Sequence, residues 1–166
     1  DDHLYFLAVC VPFEGGTRRS DLSEYSVFEL STGDADFGKP RYLGPLMTGE
    51  DAARLGAEEL SKGNLSYARD GTLLFLTAPV FRGERFEEYP GCFVFEVVSL
   101  DPPRIRRDAA GAPVARAVVR SSDAVPSSAS CTYHADSATG IVLTRRVMDV
   151  EKRSFEWSLH ATGYHP

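Results

Sequence analysis

The sequence predicts an all-β protein of antiparallel meander sheets, with one short helix near residues 49–62. Three observations carry that expectation. Tyr67 to Thr77 (YARDGTLLFLT) reads as a short strand, a tight Asp70-Gly71 turn and a longer apolar strand, which is a β-hairpin pattern. Related strands recur before and after it. Only one stretch of the chain carries a helix-start signal.

Taken in order, His3 to Val11 is a near-continuous apolar run of strand length, rich in aromatic and branched residues. Residues 12–24 are polar, with Pro12, Gly15 and Gly16, and read as a loop. Tyr25 to Leu30 alternates and forms a second strand, Thr32-Gly33-Asp34 a turn, and Lys39 to Leu43 a short third strand near an edge because of Pro40. Thr48-Gly49-Glu50-Asp51 resembles a capping box, followed by Ala52, Ala53, Leu55, Ala57 and Leu60, with Gly63 as a stop and Gly56 as a weak point. Asn64 to Ala68 and Thr72 to Val80 form the hairpin. Phe81 to Gly91 is a charged loop, Cys92 to Leu100 a strand, and Arg104 to Arg107 or Val114 to Arg120 a fourth strand of that unit. Cys131 to Ala135, Ile141 to Met148 and Ser154 to His160 complete the chain.

The strands repeat. Leu4-Tyr5-Phe6-Leu7 aligns with Leu73-Leu74-Phe75-Leu76 and with Ile141-Val142-Leu143-Thr144. Phe-Glu pairs recur at 28, 95 and 155, and Tyr67-Ala68-Arg69-Asp70 aligns with Tyr133-His134-Ala135-Asp136. With each unit's strands labelled A to D, the chain reads B-C-D, helix, A-B-C-D, loop, A-B-C. It is one domain over 1–166, with units at about 1–43, 64–120 and 130–166. A short strand, an Asp-Gly turn and a long apolar strand resemble a β-propeller blade of the periplasmic TolB type. Tyr67 to Phe75 matches that pattern well, while Tyr133 to Val142 is stretched by Ser137-Ala138-Thr139 and the first unit lacks strand A. Propellers close with about four to eight blades, so two and a half units imply an open stack. A β-sandwich of the same strands is the alternative.

Composition bounds the function. The chain has 166 residues, 43% hydrophobic and 25% charged, with a net charge of −6. That charge argues against a nucleic-acid partner and suits a basic protein surface. No run approaches the roughly 20 apolar residues that cross a bilayer as a helix. The Asp1 start reads as that of a processed chain, with a trimmed one as the alternative. Of Cys10, Cys92 and Cys131, none has metal-ligand spacing; the repeat coordinates favour a Cys92–Cys131 disulfide, with three free thiols as the alternative.

In a meander, the B–C and D–A connections share one end, and here they are the long ones: 12–24, 44–63, 81–91 and 108–130. Long connections carry function more often than short ones. The first three hold ten acids against six bases, −4 of the total −6. Glu14, Asp21, Glu84, Glu87 and Glu88, with Phe86 and Tyr89 interleaved, suit protein contact. Ser121, Ser122, Asp123, Ser127 and Ser128 form a loop of small polar side chains able to enter a partner's cleft, or a plain linker.

Chemistry is weakly represented. A serine of 121–130 with His134 and Asp136 makes a hydrolase only on paper, because no G-x-S-x-G elbow exposes a nucleophile. Asp1-Asp2-His3 with a free amine is a Cu(II) chelator only at a true terminus. No phosphate loop, metal set or cofactor motif is present in the sequence. The expectation is a non-enzymatic, cofactor-free, periplasmic or secreted binding protein. In general character it is similar to inhibitor and immunity proteins that neutralise cell-wall hydrolase toxins, with a basic secreted hydrolase as partner. A structural subunit completed by a partner's strands is a further expectation.

Overall fold

A computed structural model describes residues 3–32, 38–57, 59–60, 63–68, 71, 73–82, 88–119, 130–135, 139–149, 151–152 and 154–163. The strands are β1 (His3–Cys10), β2 (Phe13–Glu14), β3 (Thr17–Arg18), β4 (Glu24–Ser31), β5 (Arg41–Thr48), β6 (Glu59–Leu60) and β7 (Asn64–Tyr67). They continue as β8 (Leu74–Arg82), β9 (Glu88–Leu100), β10 (Pro103–Ile105), β11 (Ala115–Val119), β12 (Ser130–Ala135), β13 (Thr139–Asp149) and β14 (Ser154–Gly163). One helix, α1 (Gly49–Arg54), and a 3-10 turn at Ser20–Leu22 accompany them. The protein is all-β, and every pairing among the described strands is antiparallel.

Three sheets follow one another along the chain. The first is β1-β4-β5, the middle one centres on β8 and β9 with β6, β7, β10 and β11 at their edges, and the third is β12-β13-β14. The middle sheet lies between the others: β5 packs by β10 and β1 by β7 on one side, β12 by β7 and β8 and β14 by β11 on the other. Its sequence reflects this position. A strand covered on both faces needs a continuous apolar run rather than alternation. Leu76, Ala78, Phe93, Phe95 and Val97 join Tyr25, Val27, Leu46 and Met47 of the first sheet in one core. Phe75, Thr77, Cys92 and Val94, the alternate positions of the same strands, are also fully buried. The Arg116 guanidinium lies 5.0 Å from the Phe75 ring centre.

The central hairpin closes as its turn chemistry requires. Gly71 has φ +73°, its N–H donates to the Ala68 carbonyl at 2.8 Å, and Ala68 donates to Leu73 at 2.8 Å. The A–B register repeats between sheets: Tyr67 stands opposite Leu74, and Tyr133 opposite Val142. The B–C register does not. Phe28, Phe95 and Phe155 stand opposite Phe6, Leu76 and Val147, which are not equivalent positions of the aligned B strands.

Several boundaries differ from the sequence expectation. The helix stops at Arg54 rather than near 62, because Gly56 turns the chain at φ +79° and the Ala57 N–H bonds back to the Ala52 carbonyl at 2.9 Å. Its second half is a turn and β6. The capping box is present, with Asp51 N–H on the Thr48 hydroxyl and Thr48 N–H on the Asp51 carboxylate. The 12–24 segment folds into the β2–β3 hairpin, where Gly15 (φ +57°) and Gly16 (φ +82°) make the turn. The strand expected at 39–43 runs from Arg41 to Thr48, accommodating Gly44 and Pro45 through register shifts. The 81–91 loop is largely strand: β8 reaches Arg82 and β9 begins at Glu88, with Arg82 and Glu88 opposite in register. Cys92 therefore sits inside β9. Both candidates for the fourth strand form, as β10 and β11 along the same side of β9; Arg106 still bonds to the Glu96 carbonyl, and residues 107–113 form an excursion closed by the Arg107–Pro113 bridge.

Candidate functional site

The expected contact residues fall into three groups. Ser121, Ser122, Asp123, Ser127, Ser128, Glu84, Phe86 and Glu87 lie outside the described residues, as does Asp136. Glu88 and Tyr89 belong to the backbone of β9. Glu14 and Asp21 are exposed and are drawn together by one cation: Arg19 Nη1 contacts Glu14 Oε2, while Arg19 Nε and Nη2 donate to Asp21 at 2.9 and 2.7 Å. Arg19 holds the Asp21 carboxyl below its ordinary range. Two acids share one base here, so both carboxylates already have an intramolecular partner.

The long connections do meet. The 3-10 turn of the first packs against α1 and β6 of the second, and β6 pairs with β8 at Val80 and Phe81 beside the third. Beside them lies a surface that charge counting missed. Alternation along β1 and β4 sends Leu7, Val27 and Tyr25 toward the middle sheet, so Leu4, Phe6, Phe28 and Tyr42 occupy the other face. Phe6 stacks on Phe28 with ring centres 5.4 Å apart and planes 11° apart, and Phe28 meets Tyr42 at 5.4 Å with planes 57° apart. Leu4 is 53% and Tyr42 51% exposed.

A polar anchor ends this aromatic ladder. The Tyr42 hydroxyl donates to Glu24 Oε1 at 2.9 Å, and the buried Ser26 hydroxyl donates to the same oxygen at 2.5 Å. Desolvation and the Glu24 carboxylate raise the Tyr42 phenol above its ordinary value, so it remains a donor at neutral pH. Glu24 also lines an open groove of about 510 Å³ with Cys10, Val11, Pro12 and Leu22. Phe13, beyond the groove on β2, is 69% exposed. Ladder, groove and Phe13 make an aromatic and apolar surface with Glu24, Glu14, Asp21 and Arg19 beside it. The signal available in sequence was the placement of Phe6, Phe28 and Tyr42 on alternate strand positions, but alternation does not say which face a neighbouring sheet covers.

Cys10 is a free thiol and Cys92 is disulfide-bonded, which leaves Cys131 as the remaining cysteine of the three. The His3 imidazole lies 3.2 Å from Glu29, and no cluster of three or more metal-ligating side chains occurs among the described residues. No helix among the described residues is long and apolar enough to cross a membrane. Comparisons with family models, curated proteins and solved structures find no match to this chain.

Proposed function

We propose that this protein is a non-enzymatic binding protein that works outside the cytoplasm, using the outer face of its first sheet and the adjoining groove to hold another protein. The observation that carries this reading is the Phe6–Phe28–Tyr42 ladder on a sheet face uncovered among the described residues, joined through Glu24 to a groove lined by Cys10, Val11, Pro12 and Leu22, with exposed Phe13 next in sequence. Contiguous exposed aromatic surface beside polar residues is characteristic of protein contact. The fixed Glu24 carboxylate, at the junction of ladder and groove, offers an acceptor to a partner's Arg or Lys. The disulfide at Cys92 accords with an oxidising compartment.

Within this reading, a partner of basic character fits the net charge of −6. Inhibition of a secreted, cell-wall-cleaving hydrolase is the specific form that we propose. The test is capture from the cell-envelope fraction by three purified chains: the natural one, Phe13→Ala/Tyr42→Ala, and Tyr67→Ala. Tyr67 is 64% exposed on the middle sheet and serves as the control. A partner held by the first and third chains but not by the second supports the reading. Equal capture by all three sinks it, and a captured hydrolase that keeps full activity when bound removes the inhibitor form.

A further inference from the structure

We propose that the outer edge of β1 accepts an extended segment of a partner protein as an added antiparallel strand. In the middle and third sheets, the strand equivalent to β1 is paired on both sides: β8 by β7 and β9, β13 by β12 and β14. β1 pairs only with β4, and no described residue bonds to its other side. β7 packs near β1 but spends its pairing on β8.

This edge also lacks the devices that keep sheet edges from pairing, namely charge, proline, bulges or short length. β1 has eight residues, no Lys, Arg, Asp, Glu or Pro, and pairs with β4 over its whole length without a register shift. The other edge of the same sheet, β5, carries Gly44 and Pro45 with two shifts. Leu4 and Val9 of β1 are exposed.

The two filled positions say what the occupant looks like. β7 places Asn64, Leu65, Ser66 and Tyr67 opposite Thr77, Leu76, Phe75 and Leu74. β12 places Ser130, Cys131, Thr132 and Tyr133 opposite Arg145, Thr144, Leu143 and Val142. In the aligned strands these positions correspond to Ala8, Leu7, Phe6 and Tyr5. Both strands therefore read polar, Leu or Cys, hydroxyl, Tyr in the same register. An uncharged segment of that pattern is the chemistry that fits β1: main-chain bonds supply affinity, and alternate side chains supply selectivity.

The edge adjoins the aromatic face, which shares Leu4 and Phe6 of β1, and one experiment distinguishes strand addition from contact on the face. Amide exchange of the full chain is followed with and without a millimolar synthetic peptide of residues 63–68, and with a scrambled peptide of the same composition. In the free monomer, alternate amides of β1 should exchange about tenfold or more faster than those of β8, and the natural peptide should slow them about tenfold. Val9→Lys should abolish that protection at an unchanged fold, whereas Tyr42→Ala should leave it intact. Three outcomes overturn the proposal: β1 amides uniformly slow in the free monomer, protection that rises with protein concentration alongside a doubled mass, or equal effects of the two peptides, including no effect of either.

Discussion

Arg107 and Asp51 meet fork to fork, Nη1 on Oδ1 and Nη2 on Oδ2, both at 2.7 Å, across 56 positions of sequence. Asp51 is 4% exposed and also caps α1 through the Thr48 N–H, while Arg107 additionally donates to the Gly111 carbonyl at 2.9 Å. The pair ties the 107–113 excursion of the middle sheet to the helix that follows the first. Arg107→Ala leaves a buried carboxylate without its cation and should cost about 2–3 kcal/mol, read by chemical denaturation.

The same pair sets an acid limit. Burial alone would raise the Asp51 carboxyl, but the Arg107 guanidinium and the Thr48 N–H together outweigh it and hold the group below its ordinary value. A depressed carboxyl contributes stability that is complete above the unfolded value, about 3.9, and lost as pH falls through the folded one. The stability gap between the natural chain and Arg107→Ala should therefore be constant near neutrality and narrow below about pH 4. A gap that persists at pH 2 would contradict the assignment.

Gly49 stands where a side chain has no room. A Cβ there would lie 2.1 Å from the backbone oxygen of Asp21. Gly49→Ala must push α1 away from the 3-10 turn, with an expected loss of about 2 kcal/mol or more in denaturant titration. Gly71→Ala meets no atom within 4 Å but is strained by φ +73°, and should cost about 1 kcal/mol.

A Cys92–Cys131 disulfide, the pairing the sequence favours, would close a loop of roughly 40 residues, for which chain entropy gives a stabilisation of about 4 kcal/mol. Reduction, or Cys92→Ser, should lower the melting temperature accordingly, and the oxidised chain should bind one equivalent of alkylating reagent at Cys10. Because Cys10 lines the groove, a bulky maleimide there should block the captured partner while leaving the fold intact. Undiminished capture by the fully labelled chain would remove the groove from the contact surface.

What was legible in sequence follows from how far each cause reaches along the chain. Asp70-Gly71 with apolar strands after it is local chemistry, and the strand order read from it matches the three sheets. The apolar runs around Leu76 and Phe95 read only as strands, and their burial on both faces follows from the sheets packed on either side. The short pairings were hidden: β2 and β3 have two residues each, too few for alternation to register. Gly56 was noted as a weak point, yet only its positive φ shows that the helix ends there. Arg107–Asp51 is a long-range contact without a local signature. Loop acids are countable in a sequence but their pairing is not: Glu14 and Asp21 share Arg19, and the aromatic face depends on which sheet has a neighbour.

The placing of the middle sheet between the other two makes stability a matter of nearest neighbours, as in a short stack whose ends can open separately. The two junctions are fastened by unlike chemistry. Toward the first sheet a shared apolar core is reinforced by the buried Arg107–Asp51 pair, and on the other face Cys92 of β9 carries a disulfide. Acid therefore removes one reinforcement of the stack and reductant another, each acting on top of a buried apolar core that neither touches.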